Sequence, residues 1–150
     1  MYDATEDGKT HINCYSKGKT QLGQFASNFA FAPFECEDGY FASVEAYWYW
    51  LGCTHEDKEE LRHLSGFQAK KKGRELQGED WPKTPGFQEK IKNAVRLKFE
   101  MNPLFTKMLV KSTLPLVHYY EYGGKVVYDG NSDWLFEYLS ELRNELRSNH

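Results

Sequence analysis

The sequence predicts an α+β fold: a helix-rich single domain with a small β-sheet. Three observations carry this. In "NSDWLFEYLSELRNELRS", Leu135, Tyr138, Leu139, Leu142 and Leu146 recur at i, i+3, i+4, i+7 and i+11, one stripe of a helix. In "LPLVHYYEYGGKVVYDG", two β-prone runs flank Gly123-Gly124, the pattern of a hairpin. The chain has 150 residues, 40% hydrophobic and 27% charged, which suits one globular core.

In chain order, residues 1–10 read as a loose N-terminal tail and 11–150 as the domain. "HINCYS" alternates weakly and predicts a first strand, and "KGKTQLGQ" reads as a loop. The Phe-rich run 25–43 predicts an extended segment, a turn at Glu37-Asp38-Gly39 and a short strand at Tyr40-Phe41. Ser43 is a good N-cap for a helix through about Cys53. "THEDKEELRHLSGFQAKKKGRELQ" has helical propensity, with Thr54 able to cap it and Gly66 placed to break it. "GEDWPKTPGF" is the clearest loop, holding two prolines and two glycines. From Phe87 to Glu100 the pattern is helical again. Asn102-Pro103 supplies an N-cap and a proline at the first position of a short helix. The Gly-Gly hairpin and the final helix follow. No internal repeat or low-complexity segment interrupts this order.

Composition narrows the function. The formal net charge is −3, so no global basic field argues for nucleic acid. No run approaches the roughly 20 apolar residues of a membrane helix, and the polar, acidic start does not read as a secretory leader. Cys14, Cys36 and Cys53 are an odd set without CxxC spacing, expected as reduced thiols of a cytoplasmic protein. The histidines form neither HxH nor HExxH, so neither a metal nor a cofactor is expected.

One stretch stands out. In "ASVEAYWYWL", Glu45 precedes four consecutive aromatic rings. With Ser43 as N-cap, Glu45 falls at the second helical position, where a carboxylate suits the helix dipole without any function. The rings say more. Successive residues of a helix turn by about 100°, so Tyr47, Trp48, Tyr49 and Trp50 cannot all face one core. A second wall, a partner or a ligand is implied. In "AKKKGRE", Lys70 with Arg74 (i, i+4), or Lys71 with Arg74 (i, i+3), is spaced to clamp a phosphate. A solvated basic face balancing the acidic stretch 56–60 fits equally. Trp81 in its Pro/Gly loop suits either capping a core edge or stacking on a base. Asp129 and Asp133 suit turn formation and helix capping as well as a site.

Taken together and in order, these pieces resemble the NADAR (YbiA-like) family. Ser27-Asn28-Phe29, then Asp38-Gly39, then Ser43-Val44-Glu45-Ala46-Tyr47 match its entry block. Ala69, Gly73 and Arg74 match its Ala-x-x-x-Gly-Arg. "KFEMNPLFTKML" is similar to its Lys-Phe-x-x-Asn-Pro block, and "LSELRNEL" to its closing helix. The resemblance spans roughly residues 11–147. It implies a YbiA-like fold and chemistry on N-glycosidic bonds. Family members are linked to hydrolysis of ribosylamino-pyrimidine intermediates of riboflavin synthesis, and others remove ADP-ribose from modified guanine. Carried over residue by residue, it implies Glu45 as the catalytic carboxylate, stabilising positive charge at ribose C1 and activating water. Asn28 and Phe29 would line the pocket, Trp81 would stack on the base, and Arg74 with Lys70 or Lys71 would hold phosphate. Trp48, Asp129 and Asp133 complete the expected substrate-binding set. The chain also departs from the family. Ala46 stands where the family has His, and Tyr49 and Gly52 stand at its Gln and Lys positions. "VVYDG" replaces its Trp-Gly segment, and the loop around Trp81 is longer.

The expected function is therefore hydrolysis of the C1–N bond of a ribosylated or ADP-ribosylated base, by a diverged member. The expected partner is a small ribosyl nucleotide or an ADP-ribosylated nucleic-acid base, with no membrane involved. The alternatives are a non-catalytic ADP-ribose or nucleotide-binding module and a protein-interaction domain.

Overall fold

Caps and glycines set the boundaries of the elements in this computed structural model, which describes residues 2–77 and 84–149. The helices are α1 (Gln21–Ala26), α2 (Val44–Trp50), α3 (Gly66–Gln77), α4 (Phe87–Glu100), α5 (Pro103–Lys111) and α6 (Asp133–Ser148). The strands are β1 (Ile12–Asn13), β2 (Phe34–Cys36), β3 (Gly39–Phe41), β4 (Leu116–Val117), β5 (Tyr120–Tyr122) and β6 (Lys125–Val127). Short 3₁₀ helices occupy Ala4–Glu6 and Lys58–His63. The class is the α+β fold expected, with the small sheet divided into three two-stranded pairings, β1–β4, β2–β3 and β5–β6. Among the described residues, no helix is long and apolar enough to cross a membrane.

The chain forms two compact units: Met1–Ser27 with Asn102–His150, and Asn28–Met101. In the first, β1 and β4 pair in parallel, Ile12 opposite Leu116. The Asn13 side chain extends this pairing, donating to the Tyr119 carbonyl at 3.1 Å and accepting from its N–H at 3.0 Å. Residues 2–10 are not a loose tail. Asp3 caps the first 3₁₀ turn, and buried Asp7 accepts from the N–H groups of Asn13 and Lys19 at 2.9 and 2.8 Å. Tyr2 stacks on Tyr119 at 5.2 Å. A buried carboxylate with two donors and an aromatic stack tie the segment down, and neither is visible as periodicity.

The segment read as the loop "KGKTQLGQ" contains the start of α1. Thr20 Oγ1 accepts from the Gly23 N–H at 2.9 Å, a regular N-cap. Glycine lowers helix propensity, which hides the element. It is needed there, since a Cβ on Gly23 would lie 2.4 Å from the Asn13 carbonyl oxygen. Helix α1 meets α5 through Phe25 stacked on Phe105 at 3.9 Å. Helix α6 buries Leu135, Leu139 and Leu142, as its periodicity predicts, together with Phe136. Its Arg143 donates to the Leu114 carbonyl at 2.8 Å, and Arg147 to those of Val110 and Ser112, satisfying the free carbonyls after α5.

In the second unit, β2 and β3 form the expected hairpin, Phe34 opposite Phe41. Arg62 clasps its turn, donating to the carbonyls of Asp38 and Tyr40 at 2.8 and 3.2 Å. The expected helix from Thr54 is a 3₁₀ stretch over Lys58–His63, and Thr54 caps nothing there. Leu64 turns extended, and α3 begins at Gly66 instead of a helix ending on it. The left-handed backbone of Gly66 (φ 57°) explains both the break and the restart. Helix α4 buries Ile91, Ala94, Val95 and Phe99. The loop reading of 78–87 falls mostly outside the described residues.

Two stability changes follow. Ser43 is wholly buried; its hydroxyl accepts from the Ala46 N–H at 3.1 Å and donates to the Leu64 carbonyl at 2.9 Å. Ser43→Ala removes a cap and strands a carbonyl, so urea unfolding should register a loss of about 2 kcal/mol. An unchanged midpoint would show that neither bond stabilises. His118 donates through Nδ1 to the Cys14 carbonyl at 2.8 Å, among Tyr120 and Phe136. Burial holds its imidazole below the usual histidine value of 6.5, against the pull of that carbonyl, Asp129 and Asp133. The unfolded chain therefore takes up this proton first as pH falls. Stability should be full above about pH 6.5 and decline below it, and His118→Gln should flatten that slope in unfolding curves at pH 7.5 and 5.5.

Candidate functional site

The site of the second unit grows from the start of α2. The Asn28 carbonyl accepts from the Glu45 N–H at 3.0 Å, and the Phe29 carbonyl accepts from the Gly66 N–H at 3.0 Å. The segment 28–29 thus closes the N-termini of both α2 and α3. Phe29 is half-buried. The Asn28 Oδ1 is buried, and no hydrogen-bond partner meets it among the described residues.

Helix α2 has two working faces. Val44, Ala46 and Tyr47 are buried. Tyr47 packs against Phe41 at 4.6 Å and donates to Asp38 at 2.6 Å. Trp50 lies under the Lys58 ammonium at 4.3 Å and the Arg62 guanidinium at 5.0 Å. Glu45, Trp48 and Tyr49 share the other side at i, i+3 and i+4, all half-buried. Trp48 meets Phe87 edge-on at 4.8 Å. The four-ring run is thereby accounted for: two rings build one wall, and two share the acid's side of the helix.

Helix α3 lies against that second side. Ala69 and Gly73 are its buried residues, four apart on one stripe. Tyr49 occupies the place of a side chain at 73, since a Cβ there would sit 2.2 Å from the Tyr49 Cγ. Flanking this stripe, Lys70 and Arg74 act electrostatically on Glu45. Burial raises the Glu45 carboxyl to about 7, and these two cations hold it from going higher. Tyr49 is raised above the usual phenol value by burial and by the Glu45 charge, while a hydrogen bond from Arg74 pulls it down. Glu45, Tyr49, Arg74 and Lys70 are one electrostatic cluster, whose acid is poised to change charge near neutrality.

The other expected residues fall elsewhere. Lys71 turns away to a groove of about 390 Å³ shared with Glu60, Leu64 and Gln68, where Lys72 pairs with Glu60 at 3.8 Å. Lys70 is therefore the lysine that accompanies Arg74. Asp129 and Asp133 belong to the other unit. There Asp129 accepts from the Asn131 N–H at 2.8 Å, and Asp133 accepts from the Tyr128 hydroxyl at the start of α6. Trp81 lies outside the described residues. The sequence marks Tyr49 only as one ring of the aromatic run and as a departure from a family pattern. Its i+4 spacing from Glu45 was the signal available for giving it a part.

This arrangement on this fold defines a YbiA-like α+β protein. Among solved structures, the chain is similar to the NMR structure of the E. coli protein YbiA, with a TM-score of 0.69 and 26% identity. The match covers 99% of this chain and 88% of that one. It bears out the YbiA-like fold that the sequence motifs implied. No family model matches the sequence, and no curated protein matches it.

The helix contact is open to test. Gly73→Ala drives a methyl into the Tyr49 ring, and the helices must part to admit it. Overpacking of this kind costs about 1–3 kcal/mol. Thermal unfolding should shift down accordingly, and Glu45 should titrate closer to an ordinary carboxylate as water enters. A silent substitution would mean that α2 and α3 do not meet this closely.

Proposed function

We propose that this protein is a cytoplasmic N-glycosidase, a diverged NADAR member that hydrolyses the C1–N bond of a ribosylated or ADP-ribosylated base. The observation that carries the reading is Glu45: a crowded carboxyl, raised by burial to about 7 against the pull of two cations, on the helix side it shares with two aromatic residues. The chemistry needs this combination. As the C1–N bond breaks, its electron pair leaves with the base nitrogen and positive charge grows at C1. A carboxylate beside C1 stabilises that charge. It takes a proton from the attacking water, and the proton passes on to the departing nitrogen, so the products are the free base and the ribosyl hydroxyl. Lys70 and Arg74 bind phosphate, and Trp48 bounds the base side. By resemblance alone, Trp81 stacks on the base. Ala46, at the family's His position, is wholly buried, so that departure leaves the Glu45 side of α2 unchanged.

The test is a release assay on the protein and its Glu45→Gln variant. The substrates are NAD, a ribosylamino-pyrimidine phosphate and a guanine-ADP-ribosylated oligonucleotide, with mass spectrometry reading free base or free ribosyl product. The variant should lose about 10²-fold or more in rate. In the active protein kcat/KM should rise through pH 7, because the base works as the carboxylate. Calorimetric binding of ADP-ribose without release of any product would instead assign a binding module.

A further inference from the structure

The basic run of α3 is only partly balanced by the acidic stretch 56–60. Among the described residues, Lys72 alone of the α3 cations pairs with an acid, Glu60 at 3.8 Å. Lys70, Lys71 and Arg74 form no ion pair there. Their like charges stand three and four residues apart, an arrangement that costs the helix stability. Phe67 opens the same stripe: with Lys70, Lys71 and Arg74 it falls at i, i+3, i+4 and i+7. Phe67, Lys71 and Arg74 are exposed and Lys70 is half-buried, whereas Ala69 and Gly73 on another side of the helix are buried. Phe67 is 69% exposed, as is Phe31, and no large apolar side chain among the described residues is more so. The two rings belong to one neighbourhood. The Gly66 N–H donates to the Phe29 carbonyl at 3.0 Å, so Phe67 follows one end of that bond by one residue and Phe31 follows the other by two. Two rings left in water beside three unpaired cations mark a binding surface.

We infer that α3 is a track for a single strand of nucleic acid, with Lys70, Lys71 and Arg74 on its backbone phosphates and Phe67 and Phe31 stacked on its bases. Cations one helical turn apart, about 5.4 Å, suit the step of an extended sugar–phosphate chain. A phenylalanine ring accepts any base, because each has a flat π face, and it needs no hydrogen-bond pattern. An acidic peptide would satisfy the cations but offers no regular flat partner for the rings. A duplex keeps its bases stacked inside, out of reach of both. Glu60 and Glu75 line the groove on the far side of Lys71 and repel a polyanion, so they mark the edge of the track. The purpose of the strand rests on the proposed reaction: the chain flanking a modified base lies on α3 while that base goes to Glu45. Of the substrates considered there, the nucleic-acid one is the one that uses this surface.

The experiment follows a fluorescein-labelled, unmodified single-stranded oligodeoxynucleotide by fluorescence anisotropy. With three phosphates held, the logarithm of the affinity should fall against the logarithm of salt concentration with a slope of about −2. Lys71→Gln should reduce that slope to about −1.4. Phe67→Ser should weaken binding about tenfold at every salt concentration and leave the slope as it was. Both side chains are exposed, so both variants should keep the parent's thermal midpoint. If Phe67→Ser does not fold, Phe31→Ser gives the same reading of stacking. Absence of binding at low salt overturns the inference. So does equal affinity for the matching duplex or for polyglutamate, and so do variants that bind as the parent does. The strand carries no ADP-ribose, so its binding is judged apart from the reaction. Release from a free ribosylamino-pyrimidine phosphate without strand binding would keep the proposed reaction and remove the track. Strand binding without release from any substrate would do the reverse.

Discussion

The properties of residues 28–101 depend on how closely α3 lies on α2. At Gly73 the approach is ring to backbone, with no room for even a methyl group. Burial of Glu45, the first cause of its raised pKa, accompanies that approach. The same contact brings Lys70 and Arg74 toward the acid. Crowding and countercharge thus arrive together, pushing in opposite directions, and the carboxyl settles between an ordinary surface glutamate and a fully desolvated one.

The far side of α2 supplies the rigidity this balance needs. Arg62 clasps the β2–β3 turn while lying over Phe41 and Trp50, and Lys90 of α4 pairs with Glu37 at 2.7 Å. Tyr47 reaches the same turn through Asp38. Hairpin, 3₁₀ segment, α2 and α4 are therefore tied to one another through side chains that are themselves held at both ends. A helix of seven residues has little intrinsic stability. Here its orientation is fixed by its caps and by these ties, and Glu45 inherits that precision.

Much of this was legible in the sequence, for identifiable reasons. The α6 stripe, the Gly-Gly hairpin and the α4 periodicity are strong local signals, and the structure follows them. Ser43 and Glu45 were readable because a cap followed by an acid is a local pattern. What escaped was set by contacts distant in sequence. Helix α1 was hidden by Gly23, which exists to pass the Asn13 carbonyl. The order of residues 2–10 comes from Asp7 and from the Tyr2–Tyr119 stack. Lys70 and Lys71 could not be told apart, because adjacent residues on a helix differ only by which neighbour lies on which side. Tyr49 could not be given a part until Gly73 was seen beneath its ring.

The pairing of Asn13 with Tyr119, 106 residues apart, bears on how the chain is made. On the ribosome, β1 cannot pair until β4 has emerged, so the first unit closes only after residues 28–101 have been made. Residues 28–101 are continuous and form a compact unit, so they can fold while the rest is being synthesised. During that interval the leading segment, including Ile12, Leu22 and Phe25, waits exposed. The cell must keep it from aggregating until its late-arriving strand appears.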